Sequence, residues 1–479
     1  MKLELYTILF VLLLVGSCSK DHGNYDYSEV NSISIDSIKE SYSVVQFDTL
    51  TITPYLKFKQ EEIKNLSFEW KVNNEVISTD PVCHAQIRMA ANEGSLNAHY
   101  DALLIVTNEE NGLKYYKNFD VKVGTAYSNA LLILSAQADE QAILSFQRRD
   151  KANMPIEHQI FEAANPRLGS LGKKPRQVWA GGTQTKMCIV LCEEGPYKMV
   201  CLNLTSMQLM QAYDTETIMS YDGPFTPYGI KMYMGGICIA KEGLFGYNYM
   251  NSMALYRPIA GDYEFAYWVD CNKQMDAYMW LSYDNKSERF TTLEITQGIA
   301  YDKVTPLESE EFSTAGQKFL AGGHAGIETS RPVLYDATTK TAYFYSIEMT
   351  ADEWDPVTYE PIWVINYHKI MEKTGLMDEN SVTVFGENSL YWFIANDNKI
   401  VRLHGDGGEI RDVFTAPKGK VMTMMLDKQE ERLFVVTYDG NKSYIYAVNV
   451  VSDFGALTEE PLEMEGKIVS ITSTGTWKY

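Results

Sequence analysis

A cysteine near the amino terminus carries the clearest chemistry in the sequence. Cys18 follows the small residues Gly16 and Ser17 at the end of an uncharged apolar run, Leu5 to Val15. The run has about the length of a signal-peptide core and is shorter than the roughly 20 residues that a membrane-spanning helix needs. A plain signal peptide needs only small residues before its cleavage site, whereas lipoprotein processing also needs the cysteine directly after them. The sequence therefore predicts a lipoprotein signal peptide over residues 1–18 and lipidation of the Cys18 thiol.

This lipidation fixes the expected location of the protein. The thiol takes a diacylglyceryl group, and the new amino terminus can take a further acyl chain such as palmitate. Two or more chains anchor a protein stably, because a single chain gives only marginal and reversible binding. We therefore expect the chain to be anchored to a membrane through lipid and not through a transmembrane helix.

The composition describes a large, acidic and globular chain. The 42 Lys and Arg against 63 Asp and Glu give a net charge of −21. Such acidity repels phosphates, which argues against nucleic acid and anionic membrane surfaces as partners. The hydrophobic fraction of 45% is that of a globular chain, and the 32 Tyr and 8 Trp favour β structure and aromatic contact surfaces. A chain of 479 residues is too long for one ordinary domain, so we expect two or three.

The cysteines beyond Cys18 are expected to be buried and free. An even number in an exported protein permits disulfides, but a chain of this length does not need them. Cys188 and Cys192 occupy positions typical of small buried hydrophobic residues in a strand. A zinc site is disfavoured, because their spacing lacks a second close Cys/His pair. The full set is Cys83, Cys188, Cys192, Cys201, Cys238 and Cys271.

The first part of the mature chain predicts a tether and then a β-sandwich. Residues 19–30 are polar and turn-forming and show no periodicity, as in a flexible tether. Residues 31–125 contain short alternating strands at regular spacing, the pattern of an immunoglobulin-like sandwich. Trp70 lies in the alternating segment Phe68 to Val72, so its side chain is predicted to lie in the core between sheets. The Asn73-Asn74 pair that follows suits a tight turn.

Residues 126–479 predict a β-propeller. Paired aromatic strands recur from starting points near residues 131, 187, 237, 281, 333, 390 and 433, close to the roughly 40 to 50 residues of a propeller blade. Seven blades are predicted, with six or eight as alternatives, and the final strand from Lys467 to Thr476 is expected to close the ring against the first blade. The only helix expected is a short one from Val364 to Lys373. The predicted fold class is therefore all-β, an N-terminal immunoglobulin-like sandwich followed by a propeller of about seven blades.

In three of these hairpins a Tyr-Asp pair opens the turn, at Asp284, Asp336 and Asp439. An aspartate at this position can form hydrogen bonds with its own backbone in the turn. We expect these carboxylates to organise the turns.

The first candidate ligand site is the segment Glu348 to Trp363, which is expected to be a long loop. It holds Trp354, Tyr359 and Trp363 among several carboxylates. Aromatic planes stack on sugar faces or peptide side chains, while carboxylates accept hydrogen bonds from hydroxyl, amide or cationic groups. The alternative is a loop that its aromatic residues hold against the side of the propeller.

The second candidate ligand site is the segment Gly246 to Asn251, in which Gly and Asn residues accompany Tyr247 and Tyr249. Its turn-forming residues indicate exposure, and its two rings could stack on a ligand. The alternative is an ordinary blade strand with alternate tyrosines on one face.

No residue pattern in the sequence points to catalysis. The seven histidines are scattered, with no His-x-His and no HExxH, and neither a GxSxG elbow nor a phosphate-binding glycine loop occurs. Among 63 acidic residues, spacing alone selects no pair of carboxylates for glycoside hydrolysis. His324 and His404 lie among glycines and are expected in turns. We predict no catalytic residue, no metal ligand and no cofactor, and an enzyme is the less favoured alternative.

Three features resemble the PKD-like family of bacterial lipoproteins. They are the tether motif Asp21-x-Gly23-Asn24-Tyr25-Asp26-Tyr27, the tryptophan strand around Trp70, and the domain order. The start of the tether, Ser19-Lys20-Asp21, is also similar to signals that send lipoproteins to the outer face of the outer membrane. Members of the family accompany SusC/SusD-like TonB-dependent uptake pairs in glycan- and peptide-foraging bacteria.

The resemblance implies an outer-membrane surface lipoprotein that faces the cell exterior. It would bind oligosaccharides or peptides, dock on a SusC/SusD-like nutrient importer, or do both. Two other classes stay open, namely an extracellular polysaccharide- or peptide-degrading enzyme and a structural or adhesive surface protein.

Overall fold

The computed structural model of the chain describes residues 31–89, 97–152, 154–181, 186–233, 235–249, 252–274, 277–296, 299–308 and 312–475. The predicted signal peptide, Cys18 and the tether lie outside these residues. Within them the chain forms 37 strands and one short helix, so the protein is all-β. None of the described helical segments is long and apolar enough to cross a membrane.

Residue contacts divide the chain into two compact units. The described part of the first comprises residues 31–44, 48–87 and 99–122, and that of the second comprises residues 45–47, 88–89, 97–98 and 123–475.

Three sheets contain the first nine strands. The five-stranded sheet consists, in spatial order, of β2 (Ser41–Val45), β9 (Lys114–Gly124), β8 (Asn97–Asn108), β5 (Leu66–Val72) and β6 (Glu75–Ser78). In this sheet the hydrogen bonds that flank β2 and β9 follow a parallel register. The two-stranded sheets pair β1 (Ile33–Asp36) with β4 (Tyr55–Phe58) and β3 (Thr49–Ile52) with β7 (Cys83–Gln86).

The core of the first unit contains Trp70, as predicted. Its side chain is fully buried, its Nε1 donates a hydrogen bond to the carbonyl oxygen of Asp80 at 2.9 Å, and its ring meets the edge of Phe119. Asn73 and Asn74 both have positive φ, 51° and 64°, and join β5 to β6 in a two-residue turn. This backbone conformation matches the twist of a hairpin and is one that asparagine tolerates, so the predicted turn is confirmed.

The second unit is a propeller of seven four-stranded antiparallel sheets, the number of blades predicted. Blade 1 contains β10 (Ala130–Ala136), β11 (Ala142–Arg148), β12 (Ile156–Glu157) and β37 (Lys467–Thr474); blade 2 contains β13 (Lys173–Ala180), β14 (Met187–Glu194), β15 (Met199–Asn203) and β16 (Leu209–Tyr213); blade 3 contains β17 (Pro227–Met232), β18 (Gly236–Ala240), β19 (Gly243–Asn248) and β20 (Ala254–Pro258); blade 4 contains β21 (Phe265–Gln274), β22 (Ala277–Asp284), β23 (Arg289–Thr296) and β24 (Ile299–Pro306).

The other three blades have the same order. Blade 5 contains β25 (Lys318–Ala325), β26 (Thr329–Asp336), β27 (Thr341–Trp354) and β28 (Pro361–Thr374); blade 6 contains β29 (Val382–Phe385), β30 (Tyr391–Asn396), β31 (Lys399–His404) and β32 (Arg411–Thr415); blade 7 contains β33 (Lys420–Leu426), β34 (Arg432–Tyr438), β35 (Lys442–Asn449) and β36 (Leu462–Glu465). The helix α1 (Ile160–Ala164) lies between blades 1 and 2 and buries Ile160 and Phe161.

The last strand closes the ring, as predicted. β37 pairs antiparallel with β10, from Ala130 opposite Thr474 to Ala136 opposite Lys467. One strand of every blade belongs to an inner ring, in which β37, β13, β17, β21, β25, β29 and β33 contact one another in succession and return to β37. The first blade is therefore built from both ends of the propeller sequence.

Two sequence predictions for blade 5 are wrong. Val364 to Lys373 is part of β28 and not a helix, and Glu348 to Trp363 is a hairpin of β27 and β28 around a short turn, not a long loop. Burial along the start of β28 alternates with a period of two: Trp363 and Ile365 are half-buried while Ile362 and Val364 are exposed. This alternation is that of a strand with one covered face.

All six described cysteines are buried and free, which confirms the prediction made for them.

Candidate functional site

The hairpin of blade 5 extends past the rest of its sheet. The last row that crosses all four strands aligns Ala325, Thr329, Glu348 and Asn366. Beyond this row only β27 and β28 continue, and we call residues 349–365 the blade 5 arm. The arm projects from the end of the propeller at which the inner strand β25 ends.

The blade 5 arm exposes large apolar side chains. Trp354 is 40% exposed, Ile362 45%, Val364 54%, Tyr359 78% and Val357 83%. Several exposed apolar side chains on one hairpin mark an interaction site more often than single exposed ones do.

The tip of the blade 5 arm is an ordered turn. The Asp355 carboxylate accepts hydrogen bonds from the N–H groups of Val357 at 2.7 Å and Thr358 at 2.9 Å, and these bonds lower the pKa of Asp355. Tyr359 has a φ of 57° and its N–H donates to the carbonyl oxygen of Asp355. The tip therefore presents Val357 and Tyr359 in a defined arrangement.

The three aromatic residues predicted as a ligand site on this hairpin are separated by the structure. Trp354 and Tyr359 are exposed on the blade 5 arm, whereas Trp363 is half-buried and packs against the cluster that contains Tyr283 and Phe290. Trp363 therefore follows the alternative considered from the sequence, an aromatic residue that holds the segment against the propeller.

Residues 246–249 of the second predicted ligand segment pack into or against the core, and its last two residues lie outside the described part of the chain. Tyr247 is fully buried in β19, where its hydroxyl lies 3.4 Å from Cys201 Sγ and its ring meets the edge of Tyr213. Burial raises the pKa of Tyr247. Its prediction as a ligand-binding residue is wrong, because no face of the ring reaches solvent, and Tyr249 is half-buried against the same core.

A buried carboxylate that the sequence did not single out joins three blades. Asp270 on β21 is 1% exposed, and its Oδ1 lies 3.1 Å from Nζ of Lys231 on β17. Its Oδ2 lies 2.8 Å from Nδ1 of His324 on β25 and accepts a hydrogen bond from Ser330 Oγ on β26 at 2.7 Å. Asn272 Nδ2 donates to the same Ser330 oxygen at 3.0 Å. We call these five residues the Asp270 network.

The electrostatics of the Asp270 network favour a charged pair. Burial alone would raise the pKa of Asp270, but the Lys231 charge and the hydrogen bonds from His324 and Ser330 outweigh it, so the pKa is lowered. Burial would lower the pKa of Lys231, but the charge of Asp270, with a smaller contribution from Glu387, outweighs that effect and raises it. Both shifts describe an ionised carboxylate beside an ionised ammonium at neutral pH.

The network also determines the proton positions around it. An ionised carboxylate only accepts hydrogen bonds, so His324 donates to Asp270 from Nδ1. Ser330 donates its hydroxyl proton to Asp270, and because Ser330 is fully buried we interpret this hydrogen bond as structural. His324 was expected in a turn but lies in β25, and this is a further correction.

The other histidine singled out lies at a turn, as predicted. His404 ends β31, and its Nδ1 accepts a hydrogen bond from the Asp406 N–H at 3.2 Å. Across the described part of the chain, no group of three or more His, Cys, Asp or Glu residues is arranged to hold a metal ion.

The fold defines the class of the protein as an all-β chain with a PKD-like N-terminal domain followed by a β-propeller. The model of the PKD-like family matches residues 18–175. No curated protein matches the chain.

Among solved structures, the chain is similar to a quinonprotein alcohol dehydrogenase-like protein from Bacteroides thetaiotaomicron VPI-5482. The two are 12% identical, the match covers 91% of this chain and 94% of that one, and the TM-score is 0.49. It is also similar to the β-propeller domain of Cps50 (Swd1) from Myceliophteria thermophila, at 10% identity, with 60% and 88% of the two chains covered and a TM-score of 0.39. Neither similarity carries a functional inference.

Proposed function

We propose that the protein is a lipid-anchored lipoprotein of the outer-membrane surface that docks through the blade 5 arm on a SusC/SusD-like TonB-dependent nutrient importer. The location and the importer come from the lipidation motif at Cys18 and from the PKD-like resemblance. The observation that supports docking is the exposed apolar surface of the arm. Binding of oligosaccharides or peptides for the importer belongs to the same role.

The chemistry of the blade 5 arm favours a protein as its partner. Sugar faces stack on aromatic planes, but Val357, Ile362 and Val364 are branched aliphatic side chains that offer no such plane. Together with Trp354 and Tyr359 they give the arm an apolar surface with aromatic residues, and the cores of protein interfaces are apolar and enriched in aromatic residues.

The backbone of the blade 5 arm supports the same partner. β26 begins at Thr329, opposite Glu348, so the part of β27 beyond Glu348 has no β26 residue beside it. A two-stranded ribbon is marginal in water by itself, and strand edges of this kind are points at which another chain can add. A protein surface placed against the arm would both cover its apolar side chains and bond to its edge.

A pull-down from outer membranes tests the docking proposal. The arm variant carries Val357→Ser, Tyr359→Asn, Ile362→Thr and Val364→Thr, changes that remove apolar surface and keep residues suited to a turn and a strand. We expect the wild type to co-purify the SusC/SusD-like transporter and the arm variant to lose at least about tenfold of it, since interface anchors each contribute about 1 to 3 kcal/mol. Trp354→Ala alone should weaken docking within that same range.

The matched control is Val451→Ser, which removes an equally exposed apolar side chain, 65% accessible, from a turn of blade 7. It should co-purify the transporter as the wild type does. Undiminished co-purification by the arm variant would show that the arm is not the docking surface.

Replacement of the lipidated cysteine tests the anchor. Cys18→Ser removes the thiol that accepts the diacylglyceryl group, so we expect loss of labelling by radioactive palmitate and release from the membrane fraction. Protease added to intact cells should degrade the wild type if it faces the exterior. A Cys18→Ser protein that still partitions with membranes in high salt would contradict lipid anchoring.

A further inference from the structure

Three side chains form a continuous stack where the inner strands of blades 2, 3 and 4 begin. Arg176, Tyr228 and Tyr267 lie near the starts of β13, β17 and β21. The guanidinium carbon of Arg176 lies 4.7 Å from the ring centroid of Tyr228. The rings of Tyr228 and Tyr267 have centroids 4.4 Å apart and planes inclined by 34°. We call these three residues the tyrosine platform.

The tyrosine platform is fixed at one end and open at the other. Arg176 forms an ion pair with Glu193, whose side chain is only 15% exposed, so the guanidinium is held over Tyr228. Tyr228 is half-buried between the guanidinium and Tyr267. Tyr267 is 62% exposed, which leaves much of its ring open to solvent. Because the supporting side chains are already ordered, a ring that stacks on Tyr267 would meet a preorganised surface.

The packing of β21 against its neighbours does not depend on the ring of Tyr267. The next residue, Trp268, is half-buried and stacks on Phe319 with centroids 5.0 Å apart and planes inclined by 19°. Trp268 therefore supplies the aromatic packing that holds β21 against blade 5. A single exposed tyrosine is ordinary, but one backed by a second ring and a cation is a built stacking surface.

A cavity of about 700 Å³ adjoins the Arg176 end of the tyrosine platform, where Arg176 and Glu193 line it, and its other lining residues belong to blades 1, 2 and 7. This volume is within the range of ligand-binding pockets, roughly 300 to 1,000 Å³. The charged residues of its lining balance one another, so the cavity offers many hydrogen-bond donors and acceptors without a strong field of one sign. They are Lys174, Arg176, Lys467, Glu140, Glu193 and Glu465.

Balanced donors and acceptors beside an aromatic plane suit an uncharged ligand with many hydroxyl groups. A hydroxyl both donates and accepts, so it can bond to ammonium and carboxylate groups alike, whereas a charged ligand would be repelled by half of the lining. The apolar face of a sugar ring stacks on an aromatic plane. We propose that Tyr267, backed by Tyr228 and Arg176, is the stacking subsite of a binding site for neutral oligosaccharides, whose other units run along the platform past Tyr228 to the cavity at its Arg176 end.

The tyrosine platform and the blade 5 arm lie at opposite ends of the propeller. Lys231 follows Tyr228 by three residues on β17, and Asp270 follows Tyr267 by three residues on β21. Because Lys231 and Asp270 are in contact, both strands run in the same direction from the tyrosine platform. The arm lies past the end of β25, whose His324 also meets Asp270. A partner on the arm would leave the platform open, and the two proposals can fail separately.

Titration calorimetry with uncharged oligosaccharides tests the inference. The probes are linear hexasaccharides of α- and β-linked glucose, xylose, mannose and galactose, added to the full chain in detergent and to the variants Tyr267→Ala, Tyr267→Phe and Tyr116→Ala. Tyr116→Ala is the matched control, because this tyrosine is 60% exposed and belongs to the first unit.

We expect the wild type to bind at least one probe and Tyr267→Ala to bind it at least about tenfold more weakly, as loss of a stacking contact predicts. Tyr267→Phe keeps the plane and should remain within about threefold of the wild type. Tyr116→Ala and the arm variant should bind as the wild type does. Binding of none of the probes, or equal binding by Tyr267→Ala, would overturn the proposal whatever the outcome of the docking experiment.

Discussion

Replacement of Asp270 by alanine is expected to lower the free energy of unfolding of the propeller by about 3 to 5 kcal/mol. The carboxylate is 1% exposed and is the shared partner of Lys231, His324 and Ser330. Its removal leaves buried donors without their acceptor, at about 1 to 3 kcal/mol for each group that finds no other partner. Lys231 is 41% exposed and regains water, so most of the loss should come from His324 and Ser330. Urea denaturation measures the change, and hydrogen exchange in blades 3 to 5 assigns it to the propeller.

The matched control is another carboxylate that joins two blades. Asp406 pairs with Arg331 at 2.9 Å but is 56% exposed, so its replacement by alanine should cost less than about 1 kcal/mol. If Asp406→Ala and Asp270→Ala lower stability equally, burial does not distinguish the Asp270 network from a surface ion pair.

The cost of Asp270→Ala should depend on pH in a defined direction. The folded pKa of Asp270 lies below its ordinary value of about 3.9, so its contribution is complete above that value and is lost as pH falls through the lower folded pKa. The folded pKa of Lys231 lies above about 10.4, so its contribution is complete below that value and is lost as pH rises through the higher folded pKa. The difference in stability between wild type and variant should therefore shrink in strong acid, where Asp270 is protonated, and in strong base, where Lys231 loses its charge.

The blades could be predicted from the sequence because their signals are local. In each of three hairpins, Asp284, Asp336 and Asp439 accept hydrogen bonds from backbone N–H groups two and three residues further on, as expected. Such a turn needs only residues adjacent in sequence, so its chemistry is visible without the fold. Closure by β37 was also predictable, because a strand left over after the last complete blade has one partner available.

The blade 5 arm and Tyr247 were misjudged because local composition conflicted with tertiary context. Acidic and turn-forming residues around Asp355 indicated a loop, yet they form only the tip of a long hairpin whose aromatic residues pack inward. The Gly and Asn residues beside Tyr247 indicated exposure, but β19 is an interior strand of blade 3, where the sheet and its neighbours cover them. Pairing within a sheet decides burial, and composition alone does not.

The Asp270 network and the tyrosine platform were not visible in the sequence. Lys231, Asp270 and His324 belong to three different blades and are brought together only by the order of strands in the inner ring. The same holds for Arg176, Tyr228 and Tyr267. No short-range spacing marks these residues. An alignment of the inner strands with one another could have related them, because Lys231 and Asp270 are each the third residue after a platform tyrosine.

Removal of the closing strand is expected to have the largest effect on stability. A chain that ends at Gly466 lacks β37, so β10 loses one of its two partner strands along its whole length and the inner ring is interrupted. Ile468 and Ile471, 0% and 8% exposed, no longer fill the cluster with Leu131, Ile133 and Phe434. Burial of two isoleucines alone contributes about 3 to 6 kcal/mol, and the lost strand pairing adds to it. We therefore expect the truncated propeller to unfold without a cooperative transition, as measured by calorimetry and near-ultraviolet circular dichroism.

Point variants and complementation separate loss of the closing strand from a general effect of truncation. Ile468→Asp places a charge in the core and should destabilise the propeller severely, whereas Lys467→Ala changes an exposed neighbour on the same strand and should not. A synthetic peptide of residues 467–479 added to the truncated chain should restore cooperative unfolding, since a propeller whose ring is open keeps the edge of β10 free to accept it. A truncated chain that unfolds cooperatively at the wild-type midpoint would mean that the other six blades and the remaining strands of blade 1 hold the ring without β37. In that case, pairing of the two ends of the propeller sequence would be a consequence of the fold and not a condition for it.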